Sequence, residues 1–196
     1  EVVSGFRWDI GGAQKYYGVT PDLCCLGKAI ANGMPISAIA GKKKYMQELN
    51  HVFFSMTFGG ECLSLAAAIE TIKELKTKDY SYIWELGNML DKGIKEAAKK
   101  HDIKINLVGS APRHNLSFPT TYEDPQGMKA IFYQEMVKQG IFFPNVIYIS
   151  FAHTKKDIKK TIKAADKSFK FLKDNLNNID SVLEGKKSID IFRKNT

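Results

Sequence analysis

The chain has 196 residues, enough for one domain of ordinary size or for one large and one small piece. Apolar residues make up 44% and charged residues 26%, which excludes collagen-like, low-complexity and strongly disordered chains. The balance is basic, with 29 Lys and Arg against 21 Asp and Glu and a net charge of +8, yet the only arginines are Arg7, Arg113 and Arg193.

That imbalance bears on partners. The lysines crowd between Lys155 and Lys173 at helical spacing, which reads as a solvated helix face. A lysine-rich, arginine-poor face lacks the forked donors that read bases and phosphates, so no nucleic-acid partner is expected. No apolar run approaches the ~18–20 residues of a membrane span. The stretch Val19 to Ile30 is broken by Pro21, Asp22, Gly27 and Lys28, and no membrane partner is expected. The cysteines Cys24, Cys25 and Cys62 are odd in number and lack a CxxC pair, which excludes a disulfide framework and a zinc site. Small, buried, reduced thiols in a cytoplasmic protein are expected.

The sequence opens in Glu1-Val2-Val3-Ser4-Gly5-Phe6-Arg7 without Met. This reads as the end of a buried strand entering a loop, and a fragment of a longer protein is expected. Leu23 to Leu26 is a short continuous apolar run, the pattern of a strand buried on both faces. Ile36 to Ala40 reads as another strand, closed by Gly41. Lys42 to Leu49 suits a short helix, Val52 to Phe54 is a third apolar run, and Ser55 to Gly60 is a loop.

Periodicity then changes. Leu63, Ala66, Ala67, Ala68, Ile69, Ile72 and Leu75 predict a helix from Glu61 to Lys76, with lysines in its last turn as the helix dipole favours. Ile83, Leu86, Leu90, Ile94 and Ala97 predict a second helix from Tyr80 to Lys100. Strands are predicted over Ile103 to Val108, Asn115 to Phe118 and Val146 to Ser150, and helices over Gln126 to Gln139 and Asp157 to Leu176. Mixed strands and helices after one long helix indicate a separate α+β lobe. The expected division is 1–68, 69–176 and a polar tail, 177–196.

Two positions carry chemistry. Lys28 follows Gly27 at the end of an apolar strand. An ammonium near a buried strand end is disfavoured by desolvation, and a neutral amine attacks carbonyls to form a Schiff base. A lysine that merely snorkels out of the strand end fits the same spacing. Thr57-Phe58-Gly59-Gly60 precedes a helix, where free N–H groups, a hydroxyl and close backbone approach suit an anion. A ligand-free helix lead-in fits it too, and no Walker lysine or GxGxxG strengthens it.

The ordered set Glu1-Val2-Val3-Ser4-Gly5-Phe6-Arg7, Gly11-Gly12-Ala13-Gln14, Tyr16-Tyr17-Gly18-Val19, Pro21-Asp22-Leu23, Leu26-Gly27-Lys28, Gly33-Met34-Pro35 and Gly41-Lys42 resembles the class III pyridoxal-phosphate aminotransferases. Its motifs are most similar to the glutamate-1-semialdehyde aminomutase branch. Ser150-Phe151-Ala152-His153-Thr154, with Asp157-Ile158 and Thr161-Ile162, resembles the family's late strand and final helix.

The resemblance implies an α/β fold: the end of the large mixed-sheet domain of a fold-type I PLP-transferase, plus a small C-terminal α+β domain. It implies pyridoxal 5′-phosphate as cofactor, an amine or amino acid as substrate, and a homodimer. Lys28 matches the lysine that holds the cofactor and carries the proton. Thr57 matches a threonine that binds the cofactor phosphate across a dimer interface. Glu1 matches the Glu of an Asp-Glu pair whose Asp meets the pyridine nitrogen. That Asp, the main phosphate loop and the ring-stacking aromatic are expected upstream of Glu1. Where aminomutases read Thr-x-Ser-Gly-Asn-Pro, this chain reads Thr57-Phe58-Gly59-Gly60-Glu61-Cys62. The parent is expected to move an amino group between two substrates or within one. A non-catalytic piece that keeps the fold and dimer surface is the rival reading.

Simpler roles are expected for the other polar candidates. Arg7 suits a pair with an Asp, Gln14 a turn, and His153 the start of the helix that follows. Cys24 and Cys25 suit strand packing, and Tyr16 and Tyr17 a core or dimer surface.

Overall fold

The computed structural model describes residues 1–144 and 146–187, so Arg193 and the rest of the expected tail past 187 lie outside the described residues. The chain divides into two compact units, the first Glu1–Ser81 and the second from Tyr82 onward.

The first unit opens in consecutive turns rather than a strand end. Gly5 N–H donates to the Glu1 carbonyl at 2.9 Å, closing the first turn. Helix α1 (Gly12–Tyr17) follows and is ended by Gly18 at φ 66°. Strands β1 (Leu23–Leu26) and β2 (Ala38–Gly41) pair antiparallel, Leu23 opposite Gly41 and Leu26 opposite Ala38. Between them runs a short 3-10 turn, Lys28–Ile30. Helix α2 (Lys43–Met46) and a 3-10 turn at Gln47–Asn50 fill the region expected to be one short helix. Helix α3 (Cys62–Lys76) closes the unit.

The core here is small. Ile30 and Ala31 are buried against Ala68 of α3, with Phe6, Leu26, Met34, Ile36, Ala38, Ala67 and Ile72 packed around them. The turn that carries Lys28 is thereby pinned to α3 two and three residues downstream. Two expectations fail in this unit for one reason: a two-stranded ribbon and one helix cannot cover both of each other's faces. β1 alternates between exposed and half-buried positions instead of being buried on both faces. Leu63 and Ile69 of the apolar set on α3 are exposed. The apolar run Val52 to Phe54 is left uncovered, with Phe53 96% exposed. The cysteines are free, as expected, but Cys25 and Cys62 are exposed and Cys24 is half-buried. Tyr16 and Tyr17 are exposed and meet edge to face at 4.9 Å.

The second unit is built on α4 (Ser81–Lys100), whose Ile83, Leu86, Leu90, Ile94 and Ala97 are buried at spacings of three and four. Strands β3 (Asn106–Ser110), β4 (Arg113–Ser117) and β5 (Val146–Tyr148) form one antiparallel sheet in the order β3-β4-β5. Helix α5 (Pro125–Lys138) starts at Asp124, whose carboxylate accepts from Gly127 N–H at 2.8 Å. Helix α6 (Lys155–Asp174) starts in a capping box between Thr154 and Asp157. Helix α7 (Ile179–Val182) lies in the expected polar tail, and its Ile179 is buried.

Phe132 of α5 is the centre of this core. It stacks on Phe169 of α6 at 4.6 Å between ring centroids and meets Phe143 edge to face at 5.7 Å. Gly87 lets α4 touch the β3–β4 turn. A methyl there would stand 1.9 Å from the Ala111 carbonyl oxygen, a backbone atom with nowhere to go. The lysine face of α6 is solvated, as expected, and parts of it are paired: Lys155 with Glu85 at 2.5 Å and Lys173 with Asp102 at 2.9 Å. His153 acts at the start of α6, where its Nδ1 accepts from Ser150 N–H at 3.0 Å. No helix among the described residues is long and apolar enough to cross a membrane.

Candidate active site

Lys28 sits where β1 ends. Gly27, buried and fully extended, turns the chain, and Lys28 opens the 3-10 turn with φ at 46°. A lysine in the left-handed region is disfavoured by roughly 1–2 kcal/mol. Phe6 and Asn32 of the same unit are also left-handed, at φ 60° and 47°. Strained backbone of this kind persists only where its surroundings fix it, and it concentrates at functional sites. Here Ile30 and Ala31, buried on α3, supply the fixing.

The Lys28 side chain itself is exposed, and no carboxylate pairs with it among the described residues. The burial that the sequence argument assumed is therefore not provided by these residues. The ribbon that carries Lys28 has no second layer over its end within this unit.

Glu1 is brought to the same strand end. A Cβ built on Gly5 would stand 3.2 Å from Leu26 Cδ2, and one on Gly27 would stand 3.6 Å from Val2 Cγ1. The turn Glu1–Gly5 thus packs beside the residues that precede Lys28. The Glu1 carboxylate is fully engaged. It accepts from Gln14 N–H at 2.8 Å, from Ala13 N–H at 3.2 Å and from the Ser4 hydroxyl. Gly12 makes room for it: φ is 71°, and a methyl there would lie 2.7 Å from the carboxylate atoms. Partial burial pushes the Glu1 carboxyl up, but hydrogen bonds from Ser4, Gln14 and Ala13 outweigh it and hold the group below the ordinary glutamate range. Gln14 also reaches back to β1, its Nε2 donating to Cys24 Sγ at 3.9 Å. The next turn is tied down by Tyr80, whose hydroxyl donates to the Phe6 carbonyl at 3.3 Å. Burial, helped by the Asp9 charge and opposed by Arg7, pushes that phenol up to about 12.

A pH dependence follows from the sign of the Glu1 shift. A carboxyl lowered in the folded state stabilises fully above its unfolded value and loses that contribution as pH falls through the folded one. The protection factors of the Ala13 and Gln14 amides, measured against their intrinsic exchange rates, are expected to be high at neutral pH and to fall once the pH drops below the ordinary glutamate range. Protection that holds down to pH 2 would exclude the clasp.

Thr57 lies elsewhere in the unit, in an exposed turn, Thr57–Gly60, that leads into α3. Among the described residues no hydrogen bond or ion pair joins it to Lys28 or Glu1. The Leu63 and Ser64 N–H groups of α3 are not free for an anion, which suits the ligand-free lead-in of the two readings of this loop. Glu61 caps the helix, accepting from Leu63 N–H and Ser64 N–H at 2.7 Å each, with the Ser64 hydroxyl at 2.5 Å. Those bonds, the Ser64 hydroxyl first, hold its carboxyl below the ordinary range. The predicted helix begins at Glu61, whereas in the structure Glu61 is the cap that precedes it. The signal was present in the order Gly60-Glu61 immediately before the apolar run, but Glu is not a favoured N-cap type.

Residues 1–147 match the family model for class-III aminotransferases. The chain belongs to the class-III aminotransferase family. Similar curated relatives include glutamate-1-semialdehyde 2,1-aminomutase 1 of Staphylococcus carnosus, 37% identical over 86% of this chain and 43% of the relative. The enzyme of the same name from Staphylococcus epidermidis is 38% identical over 85% of this chain and 42% of its own length. Among solved structures, the PLP internal aldimine form of the FumI protein of Sphingopyxis sp. MTA144 superposes with a TM-score of 0.83 at 26% identity, covering 90% of this chain and 43% of that one. An omega-transaminase from Sphaerobacter thermophilus gives 0.80 at 19% identity, covering 87% and 43%. The fold is therefore that of the fold-type I PLP-transferases, as the motifs implied. This class-III chain spans about 43% of the length of the curated relatives it matches.

Proposed function

We propose that this chain is the C-terminal portion of a pyridoxal-phosphate-dependent aminotransferase or aminomutase, in which Lys28 holds the cofactor through Nζ and moves the substrate proton. The observation that carries the reading is the setting of Lys28. It presents an exposed amine, without a carboxylate partner among the described residues, on a left-handed backbone pinned to a helix. A cofactor aldehyde requires an amine of that kind. The name of the FumI structure and the aminomutase relatives point to the same chemistry.

Bound pyridoxal phosphate supplies an electron sink for the charge left on a substrate carbon when its proton departs. The remaining work falls to this chain. Lys28 Nζ would take the proton from the substrate carbon next to nitrogen and return it to the carbon on the other side of that nitrogen, two bonds away, so it must reach both positions from one backbone anchor. Thr57 Oγ1 donates a hydrogen bond to a phosphate oxygen. Glu1 supports from behind, since its carboxylate oxygens are engaged with Ser4 and the start of α1. The substrate is a small amine or amino acid, and the enzyme is a cytoplasmic homodimer with Thr57 serving the partner's site. The division 1–68, 69–176 and 177–196 describes the parent in this reading: large-domain end, small domain and tail.

The test is chemical. Cofactor added to the protein, fixed with borohydride and mapped by peptide mass, is expected on Lys28; label spread over the α6 lysines instead would sink the assignment. Thr57→Ala is expected to weaken cofactor retention about 10- to 100-fold, the loss of one hydrogen bond to a charged group at ~1.5–3 kcal/mol. Retention that does not change on equilibrium dialysis would remove Thr57 from the site. The rival, a non-catalytic piece, is favoured by the exposed apolar side chains of Val52, Phe53, Phe54, Met56 and Phe58. Amino transfer from glutamate or glutamate-1-semialdehyde by residues 1–196 alone, above free cofactor, decides against it.

A further inference from the structure

The outer face of the β3-β4-β5 sheet carries a cation that the second unit leaves without a counter-charge. The antiparallel register sets Ser110, Arg113 and Tyr148 in one row, and Val108, Asn115 and Val146 in the next. Both rows lie opposite the buried face of His114, Leu116 and Ile147. The Arg113 guanidinium sits over the Tyr148 ring, 5.8 Å from its centroid. This contact holds the guanidinium on the sheet face rather than letting it swing into water. Its Nε is buried and has no hydrogen-bond partner, and no carboxylate pairs with Arg113 among the described residues. Lysines of the same unit are treated differently: Lys100 pairs with Asp166 and Lys173 with Asp102.

A buried N–H of a charged group without an acceptor is costly. The guanidinium fork matches the two oxygens of a carboxylate. The surroundings select among anions. Val108, 66% exposed, and Val146 flank the arginine row, and the Asn115 amide stands between them on β4. An apolar strip beside a guanidinium is of no use to phosphate or sulfate, whereas a carboxylate on a short carbon chain uses both. We propose that this face binds a short-chain carboxylate, its oxygens on the Arg113 guanidinium, its head beside the Asn115 amide and its carbon chain along Val108 and Val146. The site lies on a different unit from Lys28 and does not depend on the cofactor reading.

With three arginines in the chain, the side-chain Nε–H signals of the full 196-residue protein are few enough to assign individually. Sodium butyrate is expected to shift the Arg113 Nε–H signal saturably in the millimolar range. The Val108 and Val146 methyl signals are expected to move with it, while Arg7 stays still. Sodium phosphate and sodium chloride at equal ionic strength are expected to do neither. Arg113→Lys should weaken butyrate binding at least tenfold, because a point charge replaces the fork, and Arg113→Gln should abolish the methyl shifts. The lysine variant keeps the charge and so keeps the test open if the glutamine variant misfolds. Equal responses to butyrate and phosphate, shifts that never saturate, or methyl shifts that survive in Arg113→Lys at full strength would overturn the proposal. So would an acidic peptide that binds a hundredfold more tightly than butyrate, which would make the face a protein contact.

Discussion

Lys28→Ala is expected to abolish the borohydride-fixed cofactor label and to reduce amino transfer by at least about 10²–10⁴-fold, the range for loss of a positioned acid–base group. The effect should exceed that of any other single change in the first unit, because no nearby group can substitute. Thr57 has no titratable proton in the working range. Glu1 is committed to Ser4 and the start of α1. On the proposed function, the assay belongs in the longer enzyme, with glutamate or glutamate-1-semialdehyde as amino source. Lys28→Arg should fail as completely as the alanine variant, since a guanidinium stays protonated at any working pH. That failure separates chemistry from charge: a structural cation at the strand end would tolerate arginine. Backbone strain adds a control. Lys28→Gly relieves the φ of 46° and is expected to stabilise the fold slightly while losing activity. A Lys28→Gly variant that is both less stable and still active would break the link between the strained turn and function.

The sequence made the second unit legible and the first only partly so, and the difference is packing. Helix α4 declares itself because Ile83, Leu86, Leu90 and Ile94 are buried, and Gly87 and Gly93 of the same helix lie against Ala111 and Ile162 of the same unit. Periodicity reports burial, and in α4 the burial is present. In α3 the same kind of pattern holds, yet only Ser64 and Ala68 are buried. Its apolar residues are set for neighbours that the first unit does not contain. The apolar run Val52 to Phe54 is left uncovered for the same reason. Helix α1 was invisible because Gly12-Ala13-Gln14-Lys15 has no apolar stripe and is held instead by Glu1, eleven or more residues earlier in the chain. Lys28 was legible through its neighbours Gly27 and Leu26, but its left-handed backbone was not, since nothing in the residue type announces it. Glu61 shows the limit at the loop. Residue types leave the loop open between an anion cradle and a ligand-free lead-in, and one carboxylate two residues before Leu63 takes the N–H groups that a cradle would need.

Phe132→Ala is expected to cost the second unit about 3–5 kcal/mol. Phe132 is fully buried, stacked on Phe169 and edge-on to Phe118 and Phe143, so truncation removes a ring from the one place where α5, α6 and the segment before β5 meet. Against the roughly 5–15 kcal/mol of a typical domain, that loss is a large share of the total. The melting temperature of the unit is expected to fall by more than about 10 °C. Phe53→Ala is the matched comparison, because the same side chain is 96% exposed in the first unit and its removal should change stability by less than about 0.5 kcal/mol. Thermal melts of the two variants followed by near-ultraviolet circular dichroism separate the cases. Phe118 and Phe143 lie within ring-contact distance of Phe132, so aromatic signals from this cluster should lose intensity early in Phe132→Ala and remain unchanged in Phe53→Ala. Equal losses in both would mean that burial in this unit does not set its stability, and the packing account of why α4 to α6 were readable from sequence would fail with it.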